Sequence, residues 1–79
     1  MKIIESDIRT KHLYNNGVHT SYIEETEKYH YDSYEERNSH AKEMIENGFK
    51  DNGQVMENVG TIRKPEFVYF GSYYRYRRN

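Results

Sequence analysis

The chain has 79 residues, about half the length of a typical domain, so a single domain over residues 1–79 with one core is expected. Twelve Lys and Arg against thirteen Asp and Glu leave a net charge of −1, which excludes a uniformly basic nucleic-acid coat and a wholly acidic mimic. The absence of Cys excludes a disulfide framework, a thiolate metal cage and a Cys nucleophile, no apolar run approaches the ~18 residues of a membrane span, and Lys2, Glu5 and Asp7 break any signal-peptide core in residues 1–8. A cytoplasmic protein without a membrane contact is the expectation.

In chain order, residues 2–4 suit a short strand. Asn16-Gly17 is a type I′ hairpin signal between residues 11–15 and 18–23. A two-residue loop places Tyr14 opposite His19 and His12 opposite Ser21. Residues 24–27 are an acidic connection, and Lys28-Tyr29-His30-Tyr31 is a short strand. A helix is expected over 34–47. Ser33 followed by Glu36 is a capping box, with Asp32 as an alternative cap, Glu35 and Glu36 suit the positive end of the helix dipole, and Gly48 with Phe49 is a C-terminal stop. Tyr34, Ala41, Met44 and Ile45 form its apolar stripe, with Arg37 and Asn38 in the middle turn. Asp51-Asn52-Gly53 is a turn or bulge before a strand over 54–59. Residues 60–65 make a hairpin loop, and an aromatic strand follows over 67–77.

These elements define an α+β fold, a small antiparallel sheet with one helix across one face, in the order β-(hairpin)-β-α-β-β. Residues 28–77 form its strand–helix–strand–strand core, and residues 1–27 an N-terminal hairpin or extension. Leu, Ile, Val and Phe together supply only 14 residues, below the roughly 20% of an ordinary globular chain, while nine Tyr supply bulk. The core is therefore Tyr-rich and partly polar, and thin enough for a homodimer mate to add stability.

Charge is distributed in two poles. Residues 24–46 carry eight acids and three bases, and residues 62–79 five bases and one acid. Two partner-binding surfaces follow: the polar face of the helix with Glu35, Glu36, Glu43 and Glu46, and the face of the last strand with Tyr69, Tyr73, Arg75 and Arg77. Exposed Tyr beside Arg is also the composition of a single-stranded nucleic-acid platform, so Tyr69, Tyr73, Arg75, Arg77 and Arg78 carry an alternative reading as an RNA or DNA binder. Of the four His, none has the i, i+4 spacing of a helical zinc site. The expected hairpin brings His12 and His19 together diagonally, where an added acid would complete a metal site, but surface or hydrogen-bonded roles are the expectation, with no metal and no cofactor. The scattered glycines make no phosphate loop, and no nucleophile elbow is present, so catalysis is not expected.

The stretch Tyr31-Asp32-Ser33-Tyr34-Glu35-Glu36-Arg37, then His40-Ala41-Lys42, Met44, Gly48-Phe49, Gly53-Gln54-Val55 and the aromatic strand over 67–76, resembles small proteins of phages and mobile elements in low-GC Gram-positive bacteria. The likeness spans roughly residues 28–77. It consists of caps, turns and core positions and carries over no functional residue. It implies a setting: a phage accessory protein in the host cytoplasm that binds and blocks a host protein handling nucleic acid, as anti-CRISPR and other anti-defence proteins do.

Overall fold

The computed structural model describes residues 1–78. Its elements are β1 (Lys2–Asn15), β2 (Val18–Tyr31), α1 (Tyr34–Glu46), β3 (Lys50–Asn58) and β4 (Phe67–Arg78). The strands form one antiparallel sheet in the order β1-β2-β4-β3, with α1 across one face, so the α+β class and the element order stand as expected.

The N-terminal third differs in extent. The segments expected at 2–4, 11–15, 18–23 and 28–31 run together into two 14-residue strands, and the acidic residues 24–27 lie in the middle of β2 instead of a connection. Glu has low strand propensity, but cross-strand partners override it. Glu24 faces Arg9, Glu25 holds two arginines of β4, and Lys28 of β2 pairs with Glu5 at 2.7 Å. The connecting turn has φ of 50° at Asn16 and 78° at Gly17, as a type I′ turn requires, and the register places Tyr14 opposite His19 and His12 opposite Ser21.

Helix α1 is set by its caps. The Ser33 hydroxyl accepts the Glu36 N–H at 3.1 Å, and the Glu36 carboxylate accepts the Asp32 N–H at 3.2 Å. At the other end Gly48, at φ 89°, donates to the Ile45 carbonyl and Phe49 donates to the Met44 carbonyl, both at 3.0 Å. This pair of bonds is a Schellman stop. Beyond it, Asp51 accepts the Gly53 N–H at 2.9 Å, and the register of β3 shifts between Asp51 and Gln54, so the expected turn or bulge is a bulge inside β3.

The core consists of Tyr31, Ala41, Met44, Phe49 and Tyr73, with Tyr29 and Tyr69 packed against it. The helix stripe differs from expectation at both ends. Tyr34 and Ile45 are about half exposed, while Arg37 is buried. Its guanidinium carbon lies 5.2 Å from the Tyr34 ring centre and 5.1 Å from that of Tyr69. Positions 37, 41 and 44 complete the i, i+4, i+7 line, and a long Arg satisfies it through its aliphatic stem and cation–π contact.

Candidate functional site

Strand β4 alternates as the sequence indicates, and the side that α1 covers carries Tyr69, Gly71, Tyr73, Arg75 and Arg77. This corrects the expectation of an exposed platform there. Tyr73 has no exposed surface, and its hydroxyl lies 2.9 Å from that of Tyr31. Tyr69 is half-buried against Arg37. The Arg75 Nε donates to Glu25 at 2.6 Å, its Nη1 donates to the Asn47 carbonyl at 3.0 Å, and its guanidinium lies 4.3 Å from the Phe49 ring centre. The Arg77 Nε reaches the second oxygen of the same Glu25 at 2.7 Å. Of the residues named for nucleic acid, Arg78 is exposed on the opposite side of the strand.

The covered side also holds a chain of hydroxyls. Tyr31 Oη is 2.6 Å from His40 Nδ1, and Tyr29 donates to Glu27 at 2.7 Å. Burial, then the bond to Glu27, pushes the Tyr29 phenol up to about 12. Burial is also the first cause raising Tyr31 and Tyr73 above the ordinary phenol range. These groups make a satisfied polar core, which accounts for the high Tyr content without a site.

The helix surface retains its acids. At 3.6 residues per turn, Glu35, Glu43 and Glu46 fall within an arc of about 80° opposite Ala41 and Met44, spread over roughly 16 Å of axis. All three are exposed, and none forms an ion pair among the described residues. Lys42 lies about 20° outside that arc and is exposed. Glu36, the fourth acid expected on this surface, is committed elsewhere. Its carboxylate lies 2.9 Å from the Met1 amine, and that bond is the first cause holding its acid below the usual carboxylate range. The Met1 amine is raised in return, by Glu36 first and then by Asp32.

The uncovered side of the sheet holds features that the choice of face had hidden. A groove of about 530 Å³ runs across all four strands, lined by Ile4 and Glu5 on one side, Val55, Met56 and Glu57 on the other, and Lys28 and Phe70 between. His30 lies 3.0 Å from Glu57 and edge-on to Phe70. Tyr22 and Tyr74 both meet Tyr76 edge to face on this side. Gly71 was the signal for the choice. It stands in line with Tyr69 and Tyr73, and a Cβ there would lie 2.7 Å from the Tyr73 hydroxyl, so this is the crowded side.

Among the described residues no group of three or more His, Cys, Asp or Glu is placed to hold a metal ion, and no helix is long and apolar enough to cross a membrane. Comparison with protein-family models, with curated proteins and with solved structures gave no match.

Proposed function

We propose that the protein is a non-enzymatic binding protein that docks the outer face of α1 on a basic groove of another protein, one that otherwise holds nucleic acid, and so blocks it. The observation that supports this reading is the unequal fate of the two charge poles. Two arginines of the basic pole, Arg75 and Arg77, share the single carboxylate of Glu25 within the fold, whereas Glu35, Glu43 and Glu46 remain exposed and without ion-pair partners among the described residues. A surface of uncompensated carboxylates favours fast, selective encounter with a cationic partner. The same arrangement buries Tyr73 and engages Arg75 and Arg77 with Glu25, which weakens the alternative of a single-stranded nucleic-acid binder. The proposed setting, a phage-type inhibitor in a bacterial host with anti-CRISPR action as the specific case, rests on the sequence resemblance.

The test is affinity capture from a low-GC Gram-positive lysate with the natural chain and with Glu35→Lys/Glu43→Lys/Glu46→Lys, each with and without nuclease. Glu36 is left intact because it caps the helix. A stoichiometric protein that survives nuclease and is lost with the triple reversal is the expected result. Equal capture by both chains, with unchanged circular dichroism, refutes the acidic-face reading. Recovery of nucleic acid alone, with binding that falls log-linearly with salt, supports the alternative.

A further inference from the structure

Strand β1 is an edge of the sheet, and among the described residues nothing pairs with its outer side. Its register with β2 runs without a shift from Glu5↔Lys28 to Asn15↔Val18, so this edge is long and regular. The other edge, β3, is broken by the bulge between Asp51 and Gln54, a common way of blunting an edge. Helix α1 rests on β2, β3 and β4 and leaves β1 uncovered. Ile8, in the middle of the open edge, is 64% exposed.

We propose that β1 pairs antiparallel with β1 of a second copy of this chain, about a two-fold axis at the level of Ile8, and so joins the two sheets into one. The outward-pointing backbone groups of an edge strand alternate along it, so two copies can match only residues of like parity, and the axis falls at the level of a residue. Charge then selects which residue. An axis at Asp7 or at Arg9 sets that residue against itself. An axis at Ser6 sets Glu5 against Asp7, and one at Thr10 sets Arg9 against Lys11. With the axis at Ile8, Asp7 meets the Arg9 of the other copy, Glu5 meets its Lys11, and no like charges are opposed. Opposite charges directly across a strand pair stabilise it, and like charges oppose it. Charged residues on an edge ordinarily discourage pairing. Here the acids precede Ile8 and the bases follow it, so the edge is complementary to itself.

The side chains fall on the faces this pairing needs. Glu5, Asp7, Arg9 and Lys11 lie opposite Lys28, Thr26, Glu24 and Tyr22, on the side of the sheet away from α1, and Ile8 lies opposite Glu25 on the helix side. The charges of both copies thus form one band of mixed sign on the open side, and Ile8 meets its counterpart on the other. Arg9 Nε donates to Asp7 at 2.5 Å within the chain, and the planar guanidinium can hold a second carboxylate through its terminal nitrogens. A two-fold axis normal to the sheet keeps each face on its own side. Both helices then stand on one side with their acidic outer surfaces free, so the pairing is independent of the acidic-face reading.

The experiment is sedimentation velocity of the full chain at rising concentration, joined to cysteine cross-linking, for which the chain has no Cys of its own. A monomer–dimer equilibrium is expected. Ile8→Cys should form a disulfide-linked dimer on mild oxidation, because residue 8 opposes itself at a Cα separation of about 4.5–5.5 Å. Ser6→Cys and Thr10→Cys should cross-link only when mixed with each other. Residues 6, 8 and 10 are all exposed, so these variants keep the fold. Glu5→Lys/Asp7→Lys and Arg9→Glu/Lys11→Glu should each weaken self-association at least about tenfold, and an equimolar mixture of the two should restore it. Circular dichroism checks that each variant is folded, and the Cys variants test the register even where a charge variant is not. A natural chain that stays monomeric at millimolar concentration, a dimer that both folded charge variants leave unchanged, or Ser6→Cys cross-linking alone as fast as Ile8→Cys would overturn the proposal.

Discussion

Glu25→Gln tests the idea that one buried carboxylate holds two arginines of the basic end of the chain. Glu25 is 8% exposed and takes Arg75 on one oxygen and Arg77 on the other. Gln keeps the shape and one acceptor but removes the charge. One arginine keeps its bond to the Gln oxygen and the other loses its bond outright, and since a hydrogen bond to a charged group contributes about 1.5–3 kcal/mol, the loss is roughly 2 kcal/mol. The arginine side chains are 35% and 55% exposed, and solvent screening about halves that figure. A loss of about 1 kcal/mol lowers the melting temperature of a chain this size by about 4–8 °C. Thermal melts by circular dichroism at low and high salt measure it, and the difference should shrink as salt screens the pairs. A second readout follows from the freed charges: Glu25→Gln should gain affinity for a single-stranded oligonucleotide. A melting temperature within about 2 °C of the natural chain at low salt, with no gain in oligonucleotide binding, would refute the reasoning.

Three further outcomes are expected. Tyr31→Phe removes the hydroxyl shared by His40 and Tyr73 and leaves the Tyr73 hydroxyl short of a partner, at a cost of about 1–3 kcal/mol in urea unfolding. Gly71→Ala puts a Cβ 2.7 Å from the Tyr73 hydroxyl and 3.0 Å from a Tyr31 ring carbon; overpacking of about 1–3 kcal/mol should show in the same assay, and a stable variant would contradict the packing. In alkaline titration by phenolate absorbance, Tyr29, Tyr31 and Tyr73 should ionise after the exposed tyrosines. Above pH about 10 the unfolded chain gives up these protons first and so binds fewer than the folded one. Stability is thus fully present below that pH and is lost as pH rises toward about 12 and beyond, the Tyr29 value marking the first step. A single transition of all nine tyrosines near 10 would refute it.

The parts of this fold that local chemistry specifies were legible in the sequence. Ser33, Glu36 and Gly48 mark the ends of α1, and Asn16-Gly17 sets the hairpin and its register, because caps and tight turns depend on a few adjacent residues. The length of β1 and β2 was not, because Glu24 and Glu25 are held in the strand by partners far along the chain, with Arg9 opposite Glu24 and with Arg75 and Arg77 on Glu25. The same limit applies to the candidate surfaces. Glu35, Glu43 and Glu46 could be placed from helical period alone. The fate of Tyr73 and Arg75 depended on which face of β4 meets α1, and alternation is symmetrical between faces. Only Gly71, small where a ring must fit, breaks that symmetry.

The buried Arg37 and the paired Arg75 share a cause. With 14 Leu, Ile, Val and Phe in 79 residues, the chain lacks the aliphatic mass to cover its own helix–sheet interface, and tyrosine rings take that place. Aromatic faces accept guanidinium groups where they would not accept carboxylates, since the ring quadrupole attracts the cation. Arg37 is thus drawn onto Tyr34 and Tyr69 and Arg75 onto Phe49, and Glu25 satisfies Arg75 together with Arg77. The helix carboxylates find no comparable partner inside and stay in water. A chain near neutrality as a whole therefore presents an acidic helix surface because its core is aromatic, and the composition of the core and the charge of the proposed docking face have one physical origin.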